Sequence, residues 1–216
     1  MNYRDFLQRL IYAVIDPPLR FLLRLHVTPN AVTIAGLAGN GLAAWLFVVA
    51  AQRLSVDAAS AYMLVTWGGV VILLAGLLDM MDGRLARLGG LSSTFGALLD
   101  SSLDRYSELL TLSGIALLLL RTGDDWFWAA VATFAAIVGS VMVSYVRARA
   151  EGLGISCKVG LMQRPERVVV TAVAAIATGL TASPLWLAAG MSVIALLANL
   201  TAFWRILHCY RESKAR

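Results

Sequence analysis

The chain has 216 residues, of which 59% are hydrophobic and only 14% charged, and its mean hydropathy is +0.76. A soluble domain carries about 25% charged residues, so this composition excludes an ordinary soluble protein and identifies one compact integral membrane domain. The net charge of +5 comes from basic residues spread along loop ends without an aromatic-interleaved basic patch, which excludes nucleic acid as a partner and favours anionic membrane lipids.

In chain order, residues 1–27 form a first unit. Phe6, Leu7, Leu10, Ile11 and Val14 recur at helical spacing with Arg4, Gln8 and Arg9 between them, predicting an amphipathic helix on the cytoplasmic membrane surface. Pro17 and Pro18 are expected to break it before 19–25 continue, and the polar and proline interruptions argue against a cleavable signal peptide. Residues 28–216 form the second unit, a catalytic domain. Its apolar runs at 31–51, 59–78, 95–120, 126–146, 168–182 and 185–207 are each set against a hydrocarbon core of roughly 30 Å. The expected fold is therefore all-α, with six transmembrane helices and an N-terminal interfacial helix. Gly36, Gly39 and Gly41 are expected to let the first span pack closely, and Ser183-Pro184 to turn the chain between the last two. Met80 and Met81 are expected to pack between helices, and Cys157 and Cys209 to be free thiols.

Fifteen of the 18 basic residues fall on one side: Arg4, Arg9, Arg20, Arg24, Arg84, Arg87, Arg147, Arg149, Lys158, Arg164, Arg167, Arg205, Arg211, Lys214 and Arg216. The positive-inside rule then makes both termini cytoplasmic, in a cell (inner) membrane.

The decisive feature is the run D-x2-D-G-x2-A-R-x8-G-x3-D-x3-D, from Asp79 through Asp82, Gly83, Ala86, Arg87, Gly96 and Asp100 to Asp104. Each carboxylate inside hydrocarbon costs roughly 2.5–3.5 kcal/mol on insertion scales and needs a compensating partner. Asp79 and Asp82 share one helix face, as do Gly96, Asp100 and Asp104, so two facing helices would converge four hard oxygen ligands on one point. Such a set suits Mg2+ or Mn2+, and four carboxylates can hold two ions, an arrangement common in phosphoryl transfer. Arg84 and Arg87 would neutralise phosphates, Gly83 leaves room for a ligand, and Ser92, Ser93 and Thr94 add hydroxyls. The chemistry is that of a metal-bound polyphosphate substrate reached from the cytoplasm.

This pattern resembles the signature of the CDP-alcohol phosphatidyltransferase family, and Thr28-Pro29-Asn30-Ala31-Val32-Thr33 is similar to that family's N-terminal signature. The resemblance implies a CDP-lipid donor, usually CDP-diacylglycerol, a small alcohol acceptor and CMP as leaving group. It implies Asp79, Asp82 and Asp100 as metal ligands, and Asp104 as catalytic base that also reaches metal. Gly83, Ala86 and Arg87 would bind the nucleotide, with Asn30 and Thr33 shaping its end of the site. It also implies a homodimer.

The stretch from Ser144 to Glu151, with Arg147, and Gln163-Arg164-Pro165-Glu166-Arg167 resemble those of phosphatidylinositol-phosphate synthases, although Gln163 stands where glutamate is more usual and Arg147 where lysine is common. With Arg205 at the same depth, Ser144, Arg147, Arg164, Arg167 and Arg205 are expected to receive the phosphate of a phosphorylated alcohol. Inositol 1-phosphate is the acceptor expected. The alternative is a phosphatidylglycerophosphate synthase using glycerol 3-phosphate. From other classes come an ion- or proton-coupled transporter and an aspartate-rich prenyltransferase. Against the transporter, the carboxylates gather at one end of the spans and no internal repeat is present; against the prenyltransferase, they form a single block. Glu108, one turn beyond Asp104, is a further candidate for the polar surroundings of the site.

Overall fold

The computed structural model describes residues 16–214, and every regular element among them is helical. Helix α1 covers 16–24 and already includes Pro17 and Pro18; the amphipathic segment expected before it lies outside the described residues. Six long helices follow: α2 (Pro29–Arg53), α3 (Ala58–Leu88), α4 (Thr94–Thr122), α5 (Phe127–Gly152), α6 (Arg164–Thr181) and α7 (Leu185–Lys214), with a single 3-10 turn at Asp124–Trp126.

The helix starts follow from local side-chain chemistry. Thr28, Asp57 and Ser93 each accept a backbone N–H from three residues on (Ala31, Ser60 and Gly96), supplying one of the acceptors that the first turn lacks. Pro29 and Pro165 occupy first-turn positions, where a missing N–H costs nothing. At the far end of α6, Ala182 turns left-handed (φ 51°) and Thr178 Oγ1 accepts Leu187 N–H at 2.9 Å, which makes the tight link across Ser183-Pro184.

Contacts between neighbours close the six long helices into a ring, in the order α2–α3–α6–α7–α5–α4 and back to α2. Apolar side chains gain little from leaving lipid tails for one another, so such a ring is held by close van der Waals fit. Gly114 shows this: a Cβ there would stand 2.8 Å from the Ala44 carbonyl, so only glycine lets α4 lie against α2. Gly39 likewise approaches the Ala75 side chain of α3, whereas a Cβ on Gly41 would meet only open space, so glycine is not needed there for close packing, contrary to the sequence expectation. A smaller cluster of Leu19, Val32 and Leu85 seats α1 on α2 and α3 at the end that carries the aspartates.

Four of the helical segments are long and apolar enough to cross a membrane: Pro29–Arg53, Ala58–Leu88, Asp124–Gly152 and Leu185–Lys214. The chain is an integral membrane protein. Helices α4 and α6 are not among the four because α4 carries Asp100, Asp104, Arg105 and Glu108 in its first half, while α6 has 18 residues and opens on Arg164, Glu166 and Arg167. Asp100, Asp104, Arg105, Glu108, Arg164 and Arg167 among these line the cavities of the site, whereas Glu166 is exposed.

Candidate active site

Helix α3 does not stop where its apolar run ends at Leu78 but continues to Leu88, so Asp79 and Asp82 stay on a helical face. Across from them, α4 presents Asp100. One ligand oxygen from each of Asp79, Asp82 and Asp100 lies within 4.8 Å of the other two. Asp82 is buried, and its carboxylate accepts the Thr33 hydroxyl at 2.7 Å and the Gly83 N–H at 2.5 Å. Neither donor carries charge. Three converging carboxylate oxygens are the hard, anionic donor set that a divalent cation such as Mg2+ or Mn2+ requires.

Asp104, one turn further along α4, is not among these three, but its carboxylate lies beside that of Asp79. Arg164, at the first position of α6, donates through Nη2 to Asp104 Oδ1 at 2.8 Å and through Nη1 to Asp79 Oδ2, so one guanidinium bridges the two carboxylates. Arg105 adds a longer contact to Asp104 at 3.4 Å.

Two polar cavities flank the carboxylates. The first, of about 240 Å³, is lined by Asn30, Thr33, Gly83, Ala86 and Arg87, all five residues expected at a nucleotide, together with Asp82, Asp100, Ser93 and Gly96. The second, of about 130 Å³, is lined by Ser144, Arg147, Arg164, Arg167 and Arg205, all five expected at an acceptor phosphate, and also by Arg105 and Gln163. Arg105 was missed as a cavity residue from sequence; its place next to Asp104, as the lone cation inside the third apolar run, was the available signal.

The arginines of the second cavity are not equivalent. Arg167 is buried and forms a two-pronged pair with Glu108 at 2.5 and 2.9 Å, with a third bond to the Met162 carbonyl. Buried Arg205 donates to the Val159 and Val143 carbonyls at 2.8 and 2.6 Å, stitching α7 to α5 and to the α5–α6 loop. Arg147 sits at the rim in a pair with Glu151. Arg84, expected to neutralise phosphate, instead pairs with Asp16 of α1 at 2.8 Å and holds that carboxyl below the usual range. Met81 packs on the Leu19–Val32–Leu85 cluster as expected. Met80 does not pack between helices: half-exposed, it lines a cleft of about 550 Å³ between α3 and α6, walled by Leu73, Leu77, Val168 and Val169 and ending at Asp79, Asp104 and Arg164.

The sequence model described as CDP-alcohol phosphatidyltransferase matches residues 26–204. A phosphatidylinositol phosphate synthase of Streptomyces avermitilis is 38% identical over 168 residues, which are 77% of this chain and 64% of that protein, so the match spans slightly less than two thirds of that relative. A phosphatidylinositol phosphate synthase of Mycobacteroides abscessus is 32% identical over 217 residues, covering 96% of this chain and 88% of its own. Among solved structures, the phosphatidylinositol phosphate synthase of Mycobacterium tuberculosis with CDP-DAG bound superposes with a TM-score of 0.78 at 28% identity, covering 92% of this chain and 94% of that one. The same enzyme in complex with manganese and citrate also gives a TM-score of 0.78, at 29% identity over 90% of this chain and 88% of that one.

Proposed function

The chain belongs to the CDP-alcohol phosphatidyltransferase family, and from that premise we propose that it moves a phosphatidyl group from CDP-diacylglycerol to inositol 1-phosphate, releasing CMP. One observation carries this reading above all. The three-carboxylate cluster contributes Asp82 and Asp100 to a cavity lined by Asn30, Gly83 and Arg87, and through Arg164 on Asp79 it adjoins a cavity lined by arginines, a layout matched to a nucleotide in one and a phosphorylated alcohol in the other.

In this reading Asp79, Asp82 and Asp100, with Asp104 as a further ligand, would hold two Mg2+ or Mn2+ ions. Bound there, such ions would offset the negative charge that grows on the oxygen bridging to CMP as that bond breaks. Asp104 accepts the hydroxyl proton of the alcohol. The freed oxygen forms a bond to the lipid-side phosphorus in line with the leaving group, the bond from that phosphorus to the CMP oxygen breaks, and CMP carries off the electron pair. Thr33 and the Gly83 N–H fix the Asp82 carboxylate, and Arg147, Arg164, Arg167 and Arg205, with Ser144, surround the acceptor phosphate. The cleft between α3 and α6 suits an apolar chain whose head lies at Asp79. Six spans, two cytoplasmic termini, a cytoplasm-facing site in the cell membrane and a homodimer complete the proposal.

The test is CMP release by purified protein in detergent with CDP-diacylglycerol and Mg2+ or Mn2+, comparing inositol 1-phosphate, glycerol 3-phosphate, inositol and serine. Release driven by inositol 1-phosphate alone is expected. Release driven by glycerol 3-phosphate would favour the second reading, which the arginine-lined cavity also supports. Asp104→Asn should abolish release while the folded protein still binds Mn2+, and full activity in that variant would remove Asp104 as base. An unchanged metal requirement in Asp79→Asn would count against Asp79 as ligand.

A further inference from the structure

Arg164 faces the carboxylates and the arginine-lined cavity at once. Its guanidinium bridges Asp79 and Asp104, and Asp79 is one of the three carboxylates of the cluster. The same side chain lines the arginine cavity with Arg105, Ser144, Arg147 and Arg205. Among the arginines there, Arg167 is committed to Glu108 and the Met162 carbonyl, and Arg205 to two backbone carbonyls. Arg105 touches Asp104 but not Asp79. Arg164 is half-buried, and its buried Nε lacks a hydrogen-bond partner among the described residues, so one charge-bearing donor is unspent beside the cavity. Its partners are side chains alone, reached from the first position of a helix, so its hold on them can change without disturbing backbone bonds.

A guanidinium and a divalent cation compete for the same Asp79 oxygens, while a phosphate in the arginine cavity competes with Asp79 and Asp104 for the guanidinium. We propose that Arg164 is a positioning residue that couples cation binding at Asp79, Asp82 and Asp100 to phosphate binding in the arginine cavity, each promoting the other. A phosphate that draws Arg164 to itself uncovers Asp79 for the cation; a cation on Asp79 releases Arg164 to the phosphate. By linkage the two effects are equal in size, and couplings of this kind commonly run from about 5- to 150-fold. The inference rests on the reading of the two sites given above and adds an order to them: an acceptor without a phosphate would not recruit the cation.

The experiment is a Mn2+ titration of the detergent-solubilised protein followed by electron paramagnetic resonance, with and without inositol 1-phosphate, and with sulfate or free inositol in its place. Wild-type protein should bind Mn2+ at least about 5-fold more tightly with inositol 1-phosphate, the lower end of that range, and not with free inositol. Arg164→Gln should bind Mn2+ more tightly than wild type without any anion and lose the response to inositol 1-phosphate, whereas Arg105→Gln should keep it. A merely structural role for Arg164 would weaken Mn2+ binding when it is removed. Weaker binding in Arg164→Gln, or an intact anion response, overturns the coupling. A response to sulfate equal to that of inositol 1-phosphate would show that the cavity reads the anion alone and would leave the coupling standing. If Arg164→Gln does not fold, Arg164→Lys keeps the charge but loses the two-pronged bridge, and it must show the same changes in reduced size. Absence of Mn2+ binding in folded wild-type protein would instead remove the metal reading itself.

Discussion

Replacing Thr33 by valine tests whether the carboxylate cluster is an oriented ligand set or a coincidence of acidic residues. The Thr33 hydroxyl lies 2.7 Å from Asp82 Oδ2, and both residues are buried, at 8% and 3% exposure. The same oxygen is 3.1 Å from the Pro29 carbonyl, but a hydroxyl has one hydrogen, and the shorter contact to a charged acceptor takes it. A hydrogen bond to a charged group contributes about 1.5–3 kcal/mol, equivalent to about 10- to 150-fold in an equilibrium constant. Loss of a residue that orients a metal ligand commonly lowers metal affinity by about 10- to 100-fold, a range that overlaps the first estimate. Valine keeps the shape, and Asp82 retains the Gly83 N–H. Thr33→Val should therefore weaken Mn2+ binding about 10- to 100-fold in a paramagnetic resonance titration with helix content unchanged, and Thr33→Ser should restore most of it. Mn2+ affinity in Thr33→Val within about twofold of wild type would refute the view that this hydroxyl orients Asp82, because the bond estimate above has no room for so small an effect.

Other consequences are open to equally direct measurement. Glu108→Ala leaves the buried Arg167 without its carboxylate and should cost about 3–5 kcal/mol, read as a large drop in the unfolding midpoint in detergent; a shift equal to that of an exposed Glu212→Ala control would mean that the pair contributes nothing. Gly114→Leu forces side-chain atoms against the Ala44 carbonyl and should destabilise the protein by about 1–3 kcal/mol, with no change expected from Gly41→Ala, which faces open space. Burial, and next the neighbouring Cys209, push the Cys157 thiol up, so less thiolate is present at any given pH; maleimide should label the partly exposed Cys209 first and Cys157 only on unfolding, and equal labelling rates would contradict this placement.

Much of the architecture was legible because hydropathy marks helices whose surfaces face lipid. All six apolar runs correspond to helices α2 to α7, yet their ends differ where backbone and hydropathy diverge. The run ending at Leu78 stops because Asp79 and Asp82 are polar, but a helix propagates through hydrogen bonds that aspartates facing inward do not interrupt, and α3 runs ten residues further to Leu88. Residues grouped by depth or motif came together readily: Asn30, Thr33, Gly83, Ala86 and Arg87 share one cavity, while Ser144, Arg147, Arg164, Arg167 and Arg205 share another. What one sequence could not reveal was which charges pair across long separations. Arg84 with Asp16 and Arg167 with Glu108 depend on the rotation of each helix about its axis, which periodicity leaves undetermined when most of the surface is apolar.

That limit matters because arginines of similar appearance divide the work. A guanidinium has five N–H donors, and its availability to a ligand is set by how many the fold has already engaged. Arg167 has three committed donors and Arg205 two, all from interior positions, so they shape the cavity wall as well as line it. An arginine in this position has a structural role whether or not a phosphate is present, and loss of activity on its removal cannot by itself identify a ligand contact. Replacing Arg205 by lysine would retain a charge but could not reproduce the two-directional hold on Val143 and Val159. Arg164 is different in kind because its bonds end on Asp79 and Asp104, the carboxylates proposed as metal ligand and base. The division follows from the expense of charge in a membrane protein: carboxylates are sustained by partners, and a partner shared by two sites becomes a link between them.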